Sequence, residues 1–340
     1  MAEVLKREVF GQTKAGETVY RIEIKGGGLT AKIITWGAVI QDLRLDDHDA
    51  PLLLGFDDFD SYPAHSSYFG ATPGRCANRI GGGKFTLDGK TYQLDLNEKG
   101  VTHLHGGRDN IAKQNWTIVE HDVDRVVLKI VDPDGRAGYP GNCTIQATYW
   151  VHGNGEFSVV YESTSDQPTI ANVCQHAYFN LDGRDDALGH DIMIAADGYL
   201  VTDELQVPTG EIRPVAGTVF DFREMSPMKR FDGSEQALYD HNFCLSDDRT
   251  AKRSVALARS LNSGVSLEVR TTEPGVQFYA AFKLNVPVPG LDGRKYGPFA
   301  GFCLETQIWP DAINHEGFPN AVLRPGEVLR QETDYVFSKS

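Results

Sequence analysis

Phe85-Thr-Leu-Asp-Gly-Lys-Thr-Tyr92 places an Asp-Gly pair between two short runs of alternating residues. A type I′ turn needs positive φ at both central positions, which Asp and Gly accept, so this pair is the strongest short-range signal for two antiparallel strands. The same pattern extends outward in both directions. Upstream, residues 20–24 alternate, and the runs 29–35 and 38–45 flank a Trp36-Gly37 break, as in a β-meander. Downstream, β runs fall at 116–119, 126–131, 143–151 and 157–162, with His152-Gly-Asn-Gly155 turning the last pair. A further series lies at 192–195, 255–258, 265–270 and 276–284. Helical periodicity sustained over three turns is absent.

Composition agrees with an all-β chain. Of 340 residues, 41% are hydrophobic and 10% aromatic, enough for a large core, while 35 Gly and 16 Pro imply many turns. The length alone would suggest two domains, but large β-sandwiches run this long as one unit, and no linker composition or fixed-period repeat divides the chain. Four long segments, roughly 61–83, 95–114, 201–240 and 285–298, are neither strand-like nor low-complexity, and loops of that length usually serve function. The expectation is therefore one domain over residues 1–340, a large antiparallel β-sandwich with long loops over one concave face.

Charge and cysteine usage narrow the partners. Acidic residues outnumber basic ones 47 to 33, and the resulting net charge of −14 opposes association with nucleic acid or an anionic membrane. The N-terminal stretch carries acidic residues and no apolar run, so neither a signal peptide nor a membrane anchor is expected. Five single cysteines without CxxC spacing suit reduced thiols, which points to the cytoplasm.

Four polar constellations carry possible chemistry. In Gly301-Phe-Cys-Leu-Glu305 a strand-like run ends on one carboxylate before Trp309-Pro310 and a turn-rich segment. Around residues 74–80, Arg75, Asn78 and Arg79 stand among glycines, offering many donors for hydroxyls or a carboxylate; the spacing is not that of a phosphate loop. Arg75 is expected to pin a loop through backbone carbonyls. Thr102-His-Leu-His-Gly-Gly107 places His103 and His105 on one side of a strand, as a metal pair would require, but no third ligand follows, and the two glycines suggest instead an imidazole displayed at a tight turn. His176 lies among Asn172, Tyr178 and Asn180, and Asp240 in a further polar set at 238–243.

In chain order, GRCANRI, LHGG, HAYFNL, YDHNF, GVQFY and CLETQIWPDA resemble the motifs of the aldose 1-epimerases, or galactose mutarotases, and the resemblance covers nearly the whole chain. It implies a single supersandwich domain that interconverts the α and β anomers of a free aldose, without metal or organic cofactor, as a monomer or homodimer. By position, Glu305 matches the general base, His176 the general acid, and His105 a second histidine near the ring oxygen. Asn78, Arg79, Asp240 and Gln277 match the sugar-binding positions.

The chemistry of these residue types agrees. Ring opening needs a base for the C1 hydroxyl proton and an acid for the ring oxygen, with the roles reversed on closure. A Glu and a His exchange protons near neutrality more readily than a Lys or Arg. If the two lie close, each charge is expected to favour the other, lowering the pKa of the Glu and raising that of the His. Two departures, Ala280-Ala281 after GVQFY and Thr102 before the HLHGG run, are expected to affect sugar choice at the pocket wall rather than the reaction. A glycosidase using Asp240 and Glu305 as paired carboxylates, or a non-catalytic sugar-binding module, are the rival readings.

Overall fold

A computed structural model describes residues 5–340. Three antiparallel sheets dominate it. The largest has nine strands, in the spatial order Ser226–Pro227, His190–Ile194, Arg253–Ser260, Val265–Thr271, Leu329–Lys339, Glu156–Ser165, Cys143–Val151, Arg125–Asp132 and Thr117–His121. A five-stranded sheet runs Pro208–Pro214, Gly198–Thr202, Asp240–Cys244, Gly275–Tyr279 and Cys303–Gln307, and a four-stranded meander covers Lys6–Gln12, Thr18–Gly26, Leu29–Ile34 and Val39–Leu45.

Alternation is what builds the core. Along Cys143–Val151 every second side chain is buried, so Cys143, Ile145, Ala147, Tyr149 and Val151 form one inward row. These join Ile22, Ile24, Ala31 and Ile33 of the meander and Phe243, Val276, Phe278 and Leu304 of the five-stranded sheet in one apolar cluster. The nine-stranded sheet is thus covered by the other two, the β-sandwich expected from the sequence. The longest α-helix is Ser61–His65, and among the described residues no helix is long and apolar enough to cross a membrane.

The turns follow their chemistry. Asp88 and Gly89 both have positive φ, 50° and 78°, and join Lys84–Leu87 to Lys90–Gln93 as the Asp-Gly pair predicts. At the Trp36-Gly37 break, Gly37 has φ 66°, and a Cβ there would lie 2.3 Å from the carbonyl oxygen of Ala112.

One predicted strand is cut short and several others were not foreseen. The run 276–284 ends as a strand at Tyr279, because Ala281 takes a φ of 51° and turns the chain. The unforeseen Leu329–Lys339 strand has eleven residues and sits at the centre of the large sheet. Its inward positions include Gln331 and Thr333, which obscure the apolar alternation.

Candidate active site

Glu305 sits in the Cys303–Gln307 strand, every residue of which is buried. In register across the five-stranded sheet, Glu305 faces Gln277 and Gln277 faces Asn242, so these three polar side chains share one face. Behind Glu305 a hydroxyl relay fixes the strand: Thr306 Oγ1 lies 2.6 Å from Thr333 Oγ1, which lies 3.0 Å from Thr271 Oγ1. The polar residues that hid the central strand from the sequence pattern therefore support the site.

His176 reaches the same place from a loop clamped by its backbone, its N–H donating to Ala71 O and its carbonyl accepting from Gly70 N. Its Nε2 is 3.6 Å from Glu305 Oε2. The ring is flanked by Tyr178 and Tyr68, stacked at centroid distances of 5.0 and 5.8 Å. His105 meets it edge-on at 5.2 Å. His105 Nδ1 accepts the N–H of Asn78 at 3.2 Å, so in the neutral ring the proton is on Nε2, which leaves that nitrogen as a donor.

His103 and His105 do not act as a pair, contrary to the strand alternation expected of them. The strand there is only His103–Leu104, and His105, at φ 52°, has left it. His103 turns away to Tyr139, with Nε2 2.7 Å from the hydroxyl, and to Asp95. The imidazole displayed at the Gly-Gly turn is His105, as read from the sequence. Arg75 also follows its expected part. Its side chain is fully buried and binds Asp132, Thr169 and the carbonyl of Pro140, far from any sugar role.

The remaining candidates converge in one charged network. Asp240 accepts from Gln277 Nε2 at 2.9 Å, Gln206 Nε2 at 2.8 Å and Lys283 Nζ at 3.1 Å. Arg79 is gripped by Glu98 through two 2.7 Å bonds and reaches Gln206 Oε1 at 3.2 Å. Gln206 therefore ties Arg79 to Asp240. Thr102 holds Glu98 by a 2.8 Å bond, so its side chain acts on Arg79 through that carboxylate. Ala280 and Ala281 are buried in the apolar clusters, and Lys283 is the residue of that turn that reaches the pocket. Sequence reasoning passed over Glu98, Gln206 and Lys283. They stand in loops and a turn, where no periodicity marks which polar residues point inward.

Electrostatics depart from expectation. Burial pushes the Glu305 carboxyl up to about 8, with the Asp240 charge adding to it. Burial lowers His176 to about 4. The expected mutual stabilisation of carboxylate and imidazolium is overturned, because in this enclosed site the cost of desolvating either charge exceeds their attraction. His105 is also held well below the usual histidine range by burial and by His176. Asp240 goes the other way: burial alone would raise it, but the charges of Lys283 and Arg79 and the bonds from Gln206 and Gln277 hold it below the usual carboxylate range.

A carboxyl and an imidazole 3.6 Å apart can hand protons to and from two oxygens on one carbon. Asp240 is instead committed to three donors. Among the described residues, His176, Cys303 and Glu305 also form a group whose donor atoms lie within 4.8 Å of one another, close enough to take a metal ion.

With that geometry in place, comparison with known proteins is informative. The sequence pattern of the aldose 1-epimerase family matches residues 20–336. The chain is 40% identical over 341 aligned residues to galactose mutarotase of Rattus norvegicus, covering 98% of each chain. It is 34% identical to aldose 1-epimerase of Escherichia coli strain K12, covering 91% of this chain and 92% of that one. Its fold is similar to that of a GalM/aldose epimerase homologue from C. elegans, with a TM-score of 0.88 at 31% identity over 94% of this chain and 98% of that one.

Proposed function

Since the chain belongs to the aldose 1-epimerase family and interconverts the α and β anomers of a free aldose, we propose that Glu305, His176 and His105 carry its proton transfers while Asn78, Arg79, Asp240 and Gln277 hold the sugar. The 3.6 Å approach of His176 to Glu305 carries this reading. The C1 hydroxyl and the ring oxygen are both bonded to C1, so the base for one and the acid for the other must be near neighbours. A glycosidase pair would flank the scissile bond at about 5–9.5 Å.

The pair shares one proton over a wide range. Before sugar binds, that proton rests on Glu305 and His176 is neutral. Catalysis needs the other arrangement, a carboxylate facing the C1 hydroxyl and an imidazolium facing the ring oxygen. A sugar seated against both favours it by accepting a hydrogen bond from the imidazolium and donating one to the carboxylate. Glu305 then removes the C1 proton as His176 protonates the ring oxygen. The ring opens, C1 turns about its bond to C2, and the reverse transfers close the ring on the other face. His105, donating from Nε2, and Arg79 stabilise charge at the ring oxygen. Asp240 and Gln277 bind hydroxyls that do not change between anomers.

A free aldose of the galactose or glucose type is the proposed substrate, and the name of the Rattus norvegicus relative, galactose mutarotase, supports galactose. Every site residue comes from one chain, so neither a monomer nor a homodimer would need a partner to complete it. We also place the whole chain in one domain, supported by the apolar cluster common to all three sheets, and in the cytoplasm, supported by five free cysteines. Polarimetry of freshly dissolved α-galactose, α-glucose, xylose and arabinose tests the reading. At least one should equilibrate faster than in buffer, and no acceleration with any of them would contradict it.

A further inference from the structure

We propose that the catalytic pocket is also a binding site for a thiophilic divalent cation, Zn²⁺ by its donor set, which seats on His176, Cys303 and Glu305 and reversibly shuts the enzyme off. The proposal rests on the reading of Glu305 and His176 as the acid-base pair. One nitrogen, one sulfur and one carboxylate oxygen are the ligand types zinc selects, at bond lengths of about 2.0–2.3 Å in a tetrahedron. The edges of such a tetrahedron are roughly 3.3–3.8 Å long. The groups are already near that spacing: His176 Nε2 lies 3.6 Å from Glu305 Oε2, and Cys303 Sγ lies 3.6 Å from His176 Nδ1. The two contacts use different ring nitrogens, and one donor atom from each residue falls within 4.8 Å of the other two, so seating the ion on a single nitrogen requires these separations to close from at most 4.8 Å to that edge length.

Three protein ligands leave a fourth position, where water or a sugar hydroxyl would bind. The neighbouring Cys174, whose thiol donates to Glu305 Oε2 at 3.5 Å, adds a second sulfur beside that oxygen. Coordination makes Cys303 a thiolate and Glu305 a carboxylate, releases both protons to solvent, and occupies the carboxylate and imidazole that mutarotation needs. The ion enters by the route the sugar uses, so it and the aldose exclude each other. The chemical consequence is an off-state set by free thiophilic metal, in an enzyme whose reaction needs none.

The test uses the full-length protein freed of metal by chelation, with Zn²⁺ alone for inhibition and Co²⁺ alone as the spectroscopic probe. Zn²⁺ should lower kcat/KM in competition with the aldose, and chelator should restore it. Co²⁺ should give a thiolate-to-metal charge-transfer band that excess aldose removes. In Cys303→Ala the band should lose most of its intensity, since only Cys174 could still offer a sulfur, and the Zn²⁺ needed for half-inhibition should rise by more than the roughly 10-fold that losing even an outer partner of a metal site costs. Cys244→Ser, at a cysteine outside the pocket, should behave as wild type. If Cys303→Ala does not fold, the wild-type band and its removal by aldose decide the matter. No band, or a band and inhibition unchanged in Cys303→Ala, overturns the proposal. An aldose-displaceable band in a protein that accelerates no mutarotation would instead uphold the metal site and sink the catalytic reading.

Discussion

Glu305 is a carboxylic acid held in its neutral form by burial, and this makes it measurable apart from catalysis. Its pKa is about 8 in the folded chain against 4.5 when unperturbed. Between those values the folded state holds a proton that the unfolded chain releases, so stability falls as pH rises. His176, lowered from 6.5 to about 4, has the opposite effect, but that is complete by pH 6.5. Between pH 6.5 and 8 wild type should therefore lose stability relative to Glu305→Gln, which carries no such proton. Denaturant melts of both proteins across that range check this, and parallel curves would mean Glu305 is not buried as described. Asp240 tests binding at the same scale. Held ionised by its neighbours, it offers a sugar hydroxyl a charged acceptor, and a hydrogen bond to a charged partner is worth about 1.5–3 kcal/mol. Asp240→Ala should lower kcat/KM about 10- to 100-fold, and an unchanged value would remove Asp240 from the site.

At the scale of elements, the glycines of the His105 turn decide where an imidazole stands. Gly106 has φ 83°, and a Cβ there would lie 1.8 Å from the carbonyl oxygen of Gly74. A backbone carbonyl cannot yield as a side-chain tip can, so Gly106→Ala should displace His105 and cost activity well beyond any change in melting temperature. Native-like activity in a folded Gly106→Ala protein would contradict this. Such turns were legible in the sequence because their chemistry is local: Asp88-Gly89 and the Gly-Gly after His105 each announce a φ. The Leu329–Lys339 strand was not legible, since Gln331 and Thr333 point inward for tertiary reasons that a period-2 pattern cannot express. The same limit hid Gln206, which holds a φ of 62° in a loop and earns its place only by lying between Arg79 and Asp240. His103 and His105 show the converse error, in which a strand period is carried one residue past the strand's end at Leu104.

Across the whole molecule, the large sheet and its two covering sheets bring together groups far apart in the chain: His105 and His176 from loops, Asp240, Gln277 and Glu305 from adjacent strands. Six motifs made the identities of these residues readable, but not their protonation. That depends on how deeply the closed sandwich buries them, a property of no single segment. It moves the alkaline limit of activity from His176, where pairing alone would put it, to Glu305. The most direct test is the pH dependence of kcat/KM for mutarotation of α-galactose, corrected for the spontaneous rate, in wild type and Glu305→Gln. Wild type should follow a bell with limbs near about 4 and about 8, the range over which the pair holds one proton. Glu305→Gln should still bind sugar but lose about 10²-fold or more in rate. A flat wild-type profile, or near-native turnover in Glu305→Gln, would contradict the shared-proton account.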